Sequence, residues 1–136
     1  MIPFKVELRP GESLYGQVVY AATRAMVSGE LPAGSPFPSV RELSQALKIN
    51  PNTAHKVIAE LVREGLLEVL PGRGTMVSGV RQASAREKAE LLTKEVEQLV
   101  VEAKRLGLEQ ADVVKAVREC WVGLFGDASN GESGRA

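Results

Sequence analysis

The chain has 136 residues, of which 44% are apolar and 25% charged, and its 17 lysines and arginines balance 17 acidic residues. This length suffices for one compact domain with an appendage, and it excludes a regulatory domain joined to a large ligand-binding domain. Aromatic residues make up 4%, which argues against a protein that stacks the bases of a single strand. The net charge of zero gives no support for nucleic-acid binding by itself.

Metal, catalytic and membrane functions find little support in the composition. A single cysteine, Cys120, cannot form an internal disulfide, and a single histidine, His55, cannot form a Cys/His zinc site. His55 also has no nucleophile or orienting acid at motif spacing, so we predict no enzyme, no metal and no cofactor. The sequence has neither the apolar core of a signal peptide nor a run of about 18 apolar residues. We expect a cytoplasmic protein with no membrane partner.

The N-terminal third predicts one helix and an irregular connector. Residues 1–12 form a short arm that contains a Pro10-Gly11 turn. Apolar residues then recur at helical spacing from Leu14 until Gly29, which predicts a first helix with one buried face. Residues 31–38 include three prolines and a glycine, so we expect a connector without regular structure.

Capping signals predict two further helices. Ser39 and Glu42 have the spacing of a capping box, which marks the start of a second helix. After a short turn, Asn50 can cap a third helix whose first residue is Pro51, and Gly65 ends it. The buried face of this third helix is predicted to contain Ala54, Val57, Ile58 and Leu61.

A short hairpin is predicted directly after the third helix. Residues 66–70 and 75–78 flank the four-residue turn Pro71-Gly72-Arg73-Gly74, which is the pattern of two antiparallel strands. Two helices joined by a tight turn and followed by a hairpin form a winged helix-turn-helix. The predicted fold class is therefore mostly α with a small β-hairpin, followed by a C-terminal segment of two helices.

The C-terminal segment predicts two amphipathic helices, one over residues 84–106 and one from Gly107 to Phe125. Two helices alone cannot bury both apolar stripes, so we expect a partner surface, with a second copy of the chain as the partner. Trp121 and Phe125 could instead line a ligand pocket. The predicted dimer interface consists of Leu92, Val96, Leu99, Ala103, Val113, Val117, Cys120, Trp121 and Leu124.

These patterns divide the chain into three parts. Residues 1–79 are predicted to form the winged helix-turn-helix, and residues 80–126 the helical dimerisation segment. Residues 127–136 are rich in Gly, Ser and Asn, which is typical of a disordered tail.

Polar residues cluster at the start of the third helix, the end that approaches base edges in a helix-turn-helix. An asparagine suits paired contacts with adenine, and a threonine offers a hydroxyl or a methyl group. The alternative is that Asn50 and Thr53 only cap the helix. Residues 43–59 contain no acidic side chain, so the local field favours a polyanion. The predicted DNA-binding residues here are Asn50, Asn52, Thr53, His55 and Lys56.

Two arginines are predicted to contact the DNA backbone. Arg41 lies in the first turn of the second helix, whose N-terminus favours a phosphate. The alternative is a surface arginine paired with a carboxylate. Arg73 lies at the tip of the hairpin, where it can reach sugar-phosphate or the minor groove, the alternative being an ordinary exposed turn residue.

Several short blocks follow one another in a fixed order over residues 12–78. They are Leu14-Tyr15, Ser28-Gly29-Glu30-Leu31, Pro38-Ser39-Val40-Arg41-Glu42-Leu43, Asn50-Pro51-Asn52-Thr53, Arg63-Glu64-Gly65-Leu66 and Gly72-Arg73-Gly74-Thr75. In this order the blocks resemble the GntR family of bacterial transcription regulators. The Asn-Pro-Asn-Thr block and the short C-terminus are similar to the YtrA-type subgroup, which lacks the large effector domain of other members.

The resemblance implies a dimeric regulator, usually a repressor, that binds a palindromic duplex operator and dimerises through its C-terminal helices. Subgroup members often control transporter operons. Many family members have arginine where Pro51 stands and another basic residue where His55 stands, so base readout depends less on arginine here. Whether a small-molecule effector exists is left open by the sequence. The family's DNA contacts match Arg41, Asn50, Asn52, Thr53, His55, Gly72 and Arg73.

A second class of function stays open beside DNA binding. A winged helix can also serve as a protein-interaction module without specific DNA binding, and the neutral net charge is compatible with that alternative.

Overall fold

The computed structural model describes residues 2–79 and 83–126. The chain divides into two units, Met1–Arg81 and Gln82–Ala136, and each is described by itself. The predicted tail at 127–136 and the predicted domain boundary at residue 80 lie outside the described residues.

The described part of the N-terminal unit consists of helices and one antiparallel hairpin. This arrangement confirms the predicted fold class, a winged helix-turn-helix. The elements are α1 (Leu14–Ser28), α2 (Val40–Leu47), α3 (Pro51–Arg63), β1 (Leu67–Leu70) and β2 (Gly74–Val77).

Local hydrogen bonds fix the starts of α2 and α3. The Ser39 N–H donates to Glu42 Oε1 at 2.9 Å, and the Glu42 N–H donates to Ser39 Oγ at 3.1 Å, which is the predicted capping box. Asn50 Oδ1 accepts from the Asn52 N–H at 2.7 Å, and Pro51 occupies the first helical position. Both starts therefore follow from residues within one turn of each other.

The capping box gives this unit a defined pH response. Hydrogen bonds from the backbone and side chain of Ser39 hold the pKa of Glu42 below its ordinary value of 4.5. Because the pKa is lower in the folded chain, ionised Glu42 stabilises the fold above pH 4.5, and this contribution is lost as the pH falls through the lowered pKa. We expect the difference in unfolding free energy between the wild type and Glu42→Gln to be constant from about pH 5 to about pH 7 and to decrease below that range.

Urea denaturation of both proteins at several pH values measures this difference. A difference that stays constant down to about pH 3 would contradict the coupling between Glu42 and the start of α2.

The hydrophobic core of the N-terminal unit lies among α1, α2, α3 and the hairpin. The predicted buried face of α3 is confirmed at Ala54, Val57 and Leu61, whereas Ile58 is only half-buried at the edge of the core. The largest side chains with almost no exposed surface are Val18, Leu43, Val57, Leu61 and Leu67.

The N-terminal arm forms part of the same core. Phe4 is buried, and its ring stacks on that of Phe37 with centroids 5.6 Å apart and planes at 20°. The Gln17 side chain holds the arm against α1, since its Oε1 accepts from the Arg9 N–H at 2.6 Å and its Nε2 donates to the Arg9 carbonyl at 3.2 Å. The arm is thus tied to the unit at both ends.

The hairpin turn is shorter than the predicted four residues. Gly74 pairs with Leu70 and is the first residue of β2, so only residues 71–73 form the loop, and the strands end at Leu70 and Val77. Gly72 and Gly74 have φ values of 74° and 87°, a region that glycine adopts without steric cost. The predicted strand limits were therefore wrong by one residue at Leu66, Gly74 and Ser78.

The connector between α1 and α2 is more ordered than its three prolines predict, because it pairs with the outer edge of β2. The Gly34 N–H donates to the Val77 carbonyl at 2.9 Å, the Val77 N–H donates to the Ser35 carbonyl at 2.8 Å, and the Phe37 N–H donates to the Thr75 carbonyl at 2.8 Å. The hairpin is therefore braced by a third, short extended segment.

The described part of the C-terminal unit is a helical hairpin that turns at residues 106–109. The prediction placed one regular helix over residues 84–106, but a π-helical turn interrupts it. No helix in the described ranges combines the length and apolar character needed to cross a bilayer. The elements are α4 (Ala85–Glu90), the π turn (Leu91–Glu95), α5 (Val96–Arg105) and α6 (Gln110–Phe125).

Candidate nucleic-acid interface

One exposed face of α3 carries most of the predicted contact residues. Asn52, His55 and Lys56 stand three and four residues apart, so they share the face opposite the buried Ala54 and Val57. All three are exposed, and none of their side chains forms a hydrogen bond or an ion pair to another described residue. This face is free to bind a ligand outside the chain.

Asn50 and Thr53 differ in how much of each side chain is available. The Asn50 side-chain oxygen accepts the capping hydrogen bond at the start of α3, so the capping alternative holds for that oxygen. The NH₂ of the same side chain remains available as a donor. Thr53 is half-buried, and its hydroxyl has no partner among the described residues. The capping alternative does not apply to Thr53.

A groove of about 550 Å³ runs beside α3 and is lined by residues of both α1 and α3. Within it, Arg63 Nε donates to Glu60 Oε1 at 3.0 Å. Side-chain hydrogen bonds from Arg63 hold the pKa of Glu60 below its ordinary value, with a smaller effect of the same sign from Tyr15. The charge of Arg63 is thereby paired within α3, and Tyr15 of α1 lines the same groove. The sequence spacing of Glu60 and Arg63 indicates their ion pair but not the position of Tyr15 beside them.

Arg41 stands in the first turn of α2 with an exposed side chain. No carboxylate of the described residues lies within ion-pair distance of its guanidinium. The alternative of a neutralised surface arginine therefore has no support in the described part of the chain, and the guanidinium group is available to a phosphate.

The hairpin tip presents Arg73 in the same way. The Arg73 N–H donates to the Leu70 carbonyl at 3.0 Å, which closes the loop and leaves the side chain exposed. Gly72 beside it adds no side chain, so a DNA backbone can approach the loop closely. Within residues 2–79 and 83–126, no ion pair neutralises Arg73.

The described part of the chain contains no cluster of side chains that could bind a metal ion. No three His, Cys, Asp or Glu side chains gather there at a distance that could hold a metal ion.

The C-terminal unit carries a separate apolar surface. A groove of about 410 Å³ lies between α5 and α6, and Trp121 packs on Phe125 at its end, with ring centroids 5.5 Å apart at 66°. Ala103 is the buried residue of the predicted interface, and it lies on α5 where it lines this groove. Val113 and Leu124 are half-exposed, and the exposed members are Leu92, Val96, Leu99, Val117, Cys120 and Trp121.

Comparison with known proteins identifies the family of this chain. The model for bacterial regulatory proteins of the gntR family matches residues 14–77. The HTH-type transcriptional repressor YtrA of Bacillus subtilis (strain 168) is 30% identical over 127 residues, which cover 93% of this chain and 98% of that protein. The chain belongs to the GntR family. Its short C-terminal unit is similar to the YtrA-type subgroup, as the sequence blocks predicted.

Solved structures agree with the family assignment. A transcriptional antiterminator from Listeria monocytogenes EGD-e has a TM-score of 0.79 at 25% identity, with 92% of this chain and 95% of that chain covered. YtrA from Sulfolobus acidocaldarius, a GntR-family transcription factor, has a TM-score of 0.55 at 26% identity, with 71% and 98% covered. The N-terminal unit is therefore a DNA-binding domain of a GntR-family transcription regulator.

Proposed function

We propose that this GntR-family regulator is a sequence-specific repressor that binds a palindromic operator as a homodimer. One observation carries the proposal. The exposed face of α3 holds polar side chains without partners among the described residues, and the exposed Arg41 and Arg73 are also unpaired there. These groups have the chemistry that base edges and phosphates require.

In this proposal α3 enters the major groove with its N-terminal turn first. Asn52 suits paired hydrogen bonds to an adenine, and Thr53 offers a hydroxyl or methyl group beside it. Arg41 and Arg73 bind phosphates before and after the groove, which fixes the register of α3 without reading sequence. Positions 43–59 contain no acidic residue. The region around α3 therefore does not repel the phosphates of DNA, although the net charge of the whole chain is zero.

The second copy of the chain is proposed to cover the apolar groove of the C-terminal unit. Large side chains on α5 and α6 are exposed there, among them Trp121 at 55% and Val117 at 48%. A patch of this kind on an isolated chain favours association. A twofold dimer would carry two α3 helices to half-sites about 34–36 Å apart, or a multiple of that spacing.

Repression and the choice of target are inferred from relatives. YtrA of Bacillus subtilis is named a transcriptional repressor, and a dimer seated on a promoter represses by occluding it. The resemblance to the YtrA-type subgroup makes a transporter operon the first target to test. We place the protein in the cytoplasm, where it meets the chromosome.

Fluorescence anisotropy tests the proposal. The protein is titrated against labelled duplex tiles of its own upstream region, with and without excess random duplex, over a series of salt concentrations. Tight binding to one tile that resists the competitor supports site-specific regulation. Equal and weak binding to every tile would contradict an operator in this region, and the same titration on the promoters of transporter operons then distinguishes a distant operator from a protein-interaction module.

Two variants separate backbone contacts from base contacts. Arg41→Ala should weaken binding to all duplexes and lower the slope of log K against log salt by about one per bound subunit. Asn52→Ala should reduce discrimination at one base pair by about 1–3 kcal/mol. Arg24→Ala, an exposed arginine on α1, serves as the control and should change neither. If both test variants weaken binding to random DNA equally, Asn52 does not read bases.

A further inference from the structure

The turn between α2 and α3 holds a lysine in an unfavourable backbone conformation. Lys48 ends α2 with φ 55° and ψ 48°, and it is the non-glycine residue with positive φ in the described part of the chain. Its side chain makes this left-handed region more costly than it is for glycine, which is common at this position of a helix end. Lysine is therefore not the residue that backbone stability alone would favour here.

The surrounding hydrogen bonds keep Lys48 in this conformation. The N–H groups of both Lys48 and Ile49 donate to the Ser44 carbonyl, the second at 3.1 Å. Ile49 is buried in the core, and Asn50 directly after it is the N-cap of α3. The Lys48 backbone is thus fixed two residues before the N-cap of α3.

The Lys48 side chain gains no compensating contact within the described chain. It is exposed, and no carboxylate of the described residues lies within ion-pair distance of its ammonium group. Residues 43–59 contain no acid that could attract it. Strained residues that persist without a structural gain are concentrated at functional sites.

We propose that Lys48 binds a phosphate of the DNA backbone beside the base contacts of α3. The inference rests on the proposed function, because α3 must approach a duplex for the phosphate to reach the turn. The ammonium group is a compact cation suited to a single phosphate. Lys48 thereby adds a third backbone contact to those of Arg41 and Arg73, and this one lies next to the base-reading residues.

The test uses the opposite effects of one substitution on stability and on binding. Lys48→Gly removes both the strain and the charge, so its Tm should equal or exceed that of the wild type while its affinity for duplex falls about tenfold at 0.1 M salt. The salt slope should fall by about one per bound subunit. Lys48→Arg should keep the affinity and the slope. Lys48→Asn should lose affinity like the glycine variant, since asparagine also tolerates positive φ.

The controls separate this inference from the proposed function. Lys5→Gln removes the same charge from the arm of the same unit and should leave affinity unchanged. Wild-type affinity in Lys48→Gly, or an equal loss in Lys48→Arg, would overturn the role of Lys48 alone. A wild-type protein that binds no duplex would overturn the proposed function, and the role of Lys48 with it.

Discussion

Val117→Glu should convert the protein into a monomer and reduce its affinity for an operator with two half-sites by about a hundredfold or more. Val117 lines the groove between α5 and α6 and is 48% exposed. In the proposed dimer, the substitution buries an unpaired carboxylate in an apolar interface, and the free-energy cost is too large for the dimer to form. Each subunit then binds its half-site alone. It loses the increase in affinity that comes from linking two binding events, which reaches about 10²–10⁴-fold.

Light scattering and anisotropy measure the two parts of this prediction. Val101→Glu is the matched control, because Val101 lies on α5, is 61% exposed and does not line the groove. It should remain dimeric and bind the operator like the wild type. Binding of Val117→Glu to a single half-site at low salt should also be unchanged. A Val117→Glu protein that remains dimeric would show that this groove is not the interface.

Leu61→Ala should destabilise the N-terminal unit by about 3 kcal/mol. Leu61 has no exposed surface and lies near the end of α3, where its carbonyl also accepts from the Leu66 N–H at 2.9 Å. Removing its side chain loses buried apolar surface and leaves a cavity among α1, α3 and β1. This loss is a large fraction of the roughly 5–15 kcal/mol that stabilises a typical domain.

Urea denaturation measures this loss. Leu14→Ala, at a position that is 43% exposed at the start of α1, is the control and should change stability by less than about 1 kcal/mol. DNA affinity measured well below the unfolding transition should be nearly unchanged in both variants, since neither residue belongs to the proposed interface. A loss below about 1 kcal/mol in Leu61→Ala would mean that the core collapses into the cavity.

The parts of the fold that the sequence predicts are those encoded within one helical turn. The capping box at Ser39, the cap of α3 at Asn50 and the helix end at Gly29 all depend on residues at most three positions apart, and the structure confirms them. The family blocks add the order of these elements. Fold class could therefore be predicted from sequence, because each local signal agrees with the next.

Features that depend on distant residues were not predictable in this way. The stacking of Phe4 on Phe37 and the pairing of the connector with β2 join residues that lie more than 30 positions apart. The burial of Ala103 is a further example. The apolar periodicity of a helix does not show whether its apolar face packs against another helix of the same chain or against a second chain. Which polar side chains lack partners also had to be taken from the structure.

The pairing of the connector with β2 has a mechanical consequence. Phe37 bonds to Thr75, so the chain path from Arg41 to Arg73 crosses a short, hydrogen-bonded bridge instead of a flexible loop. In the proposed complex, the fold therefore sets the separation of the two backbone segments that carry these arginines. A duplex whose phosphate spacing matches that separation needs no deformation to contact both side chains, whereas a narrower or wider duplex must bend or lose one phosphate contact. We expect such a regulator to discriminate among sequences partly by the stiffness of base pairs that it does not contact.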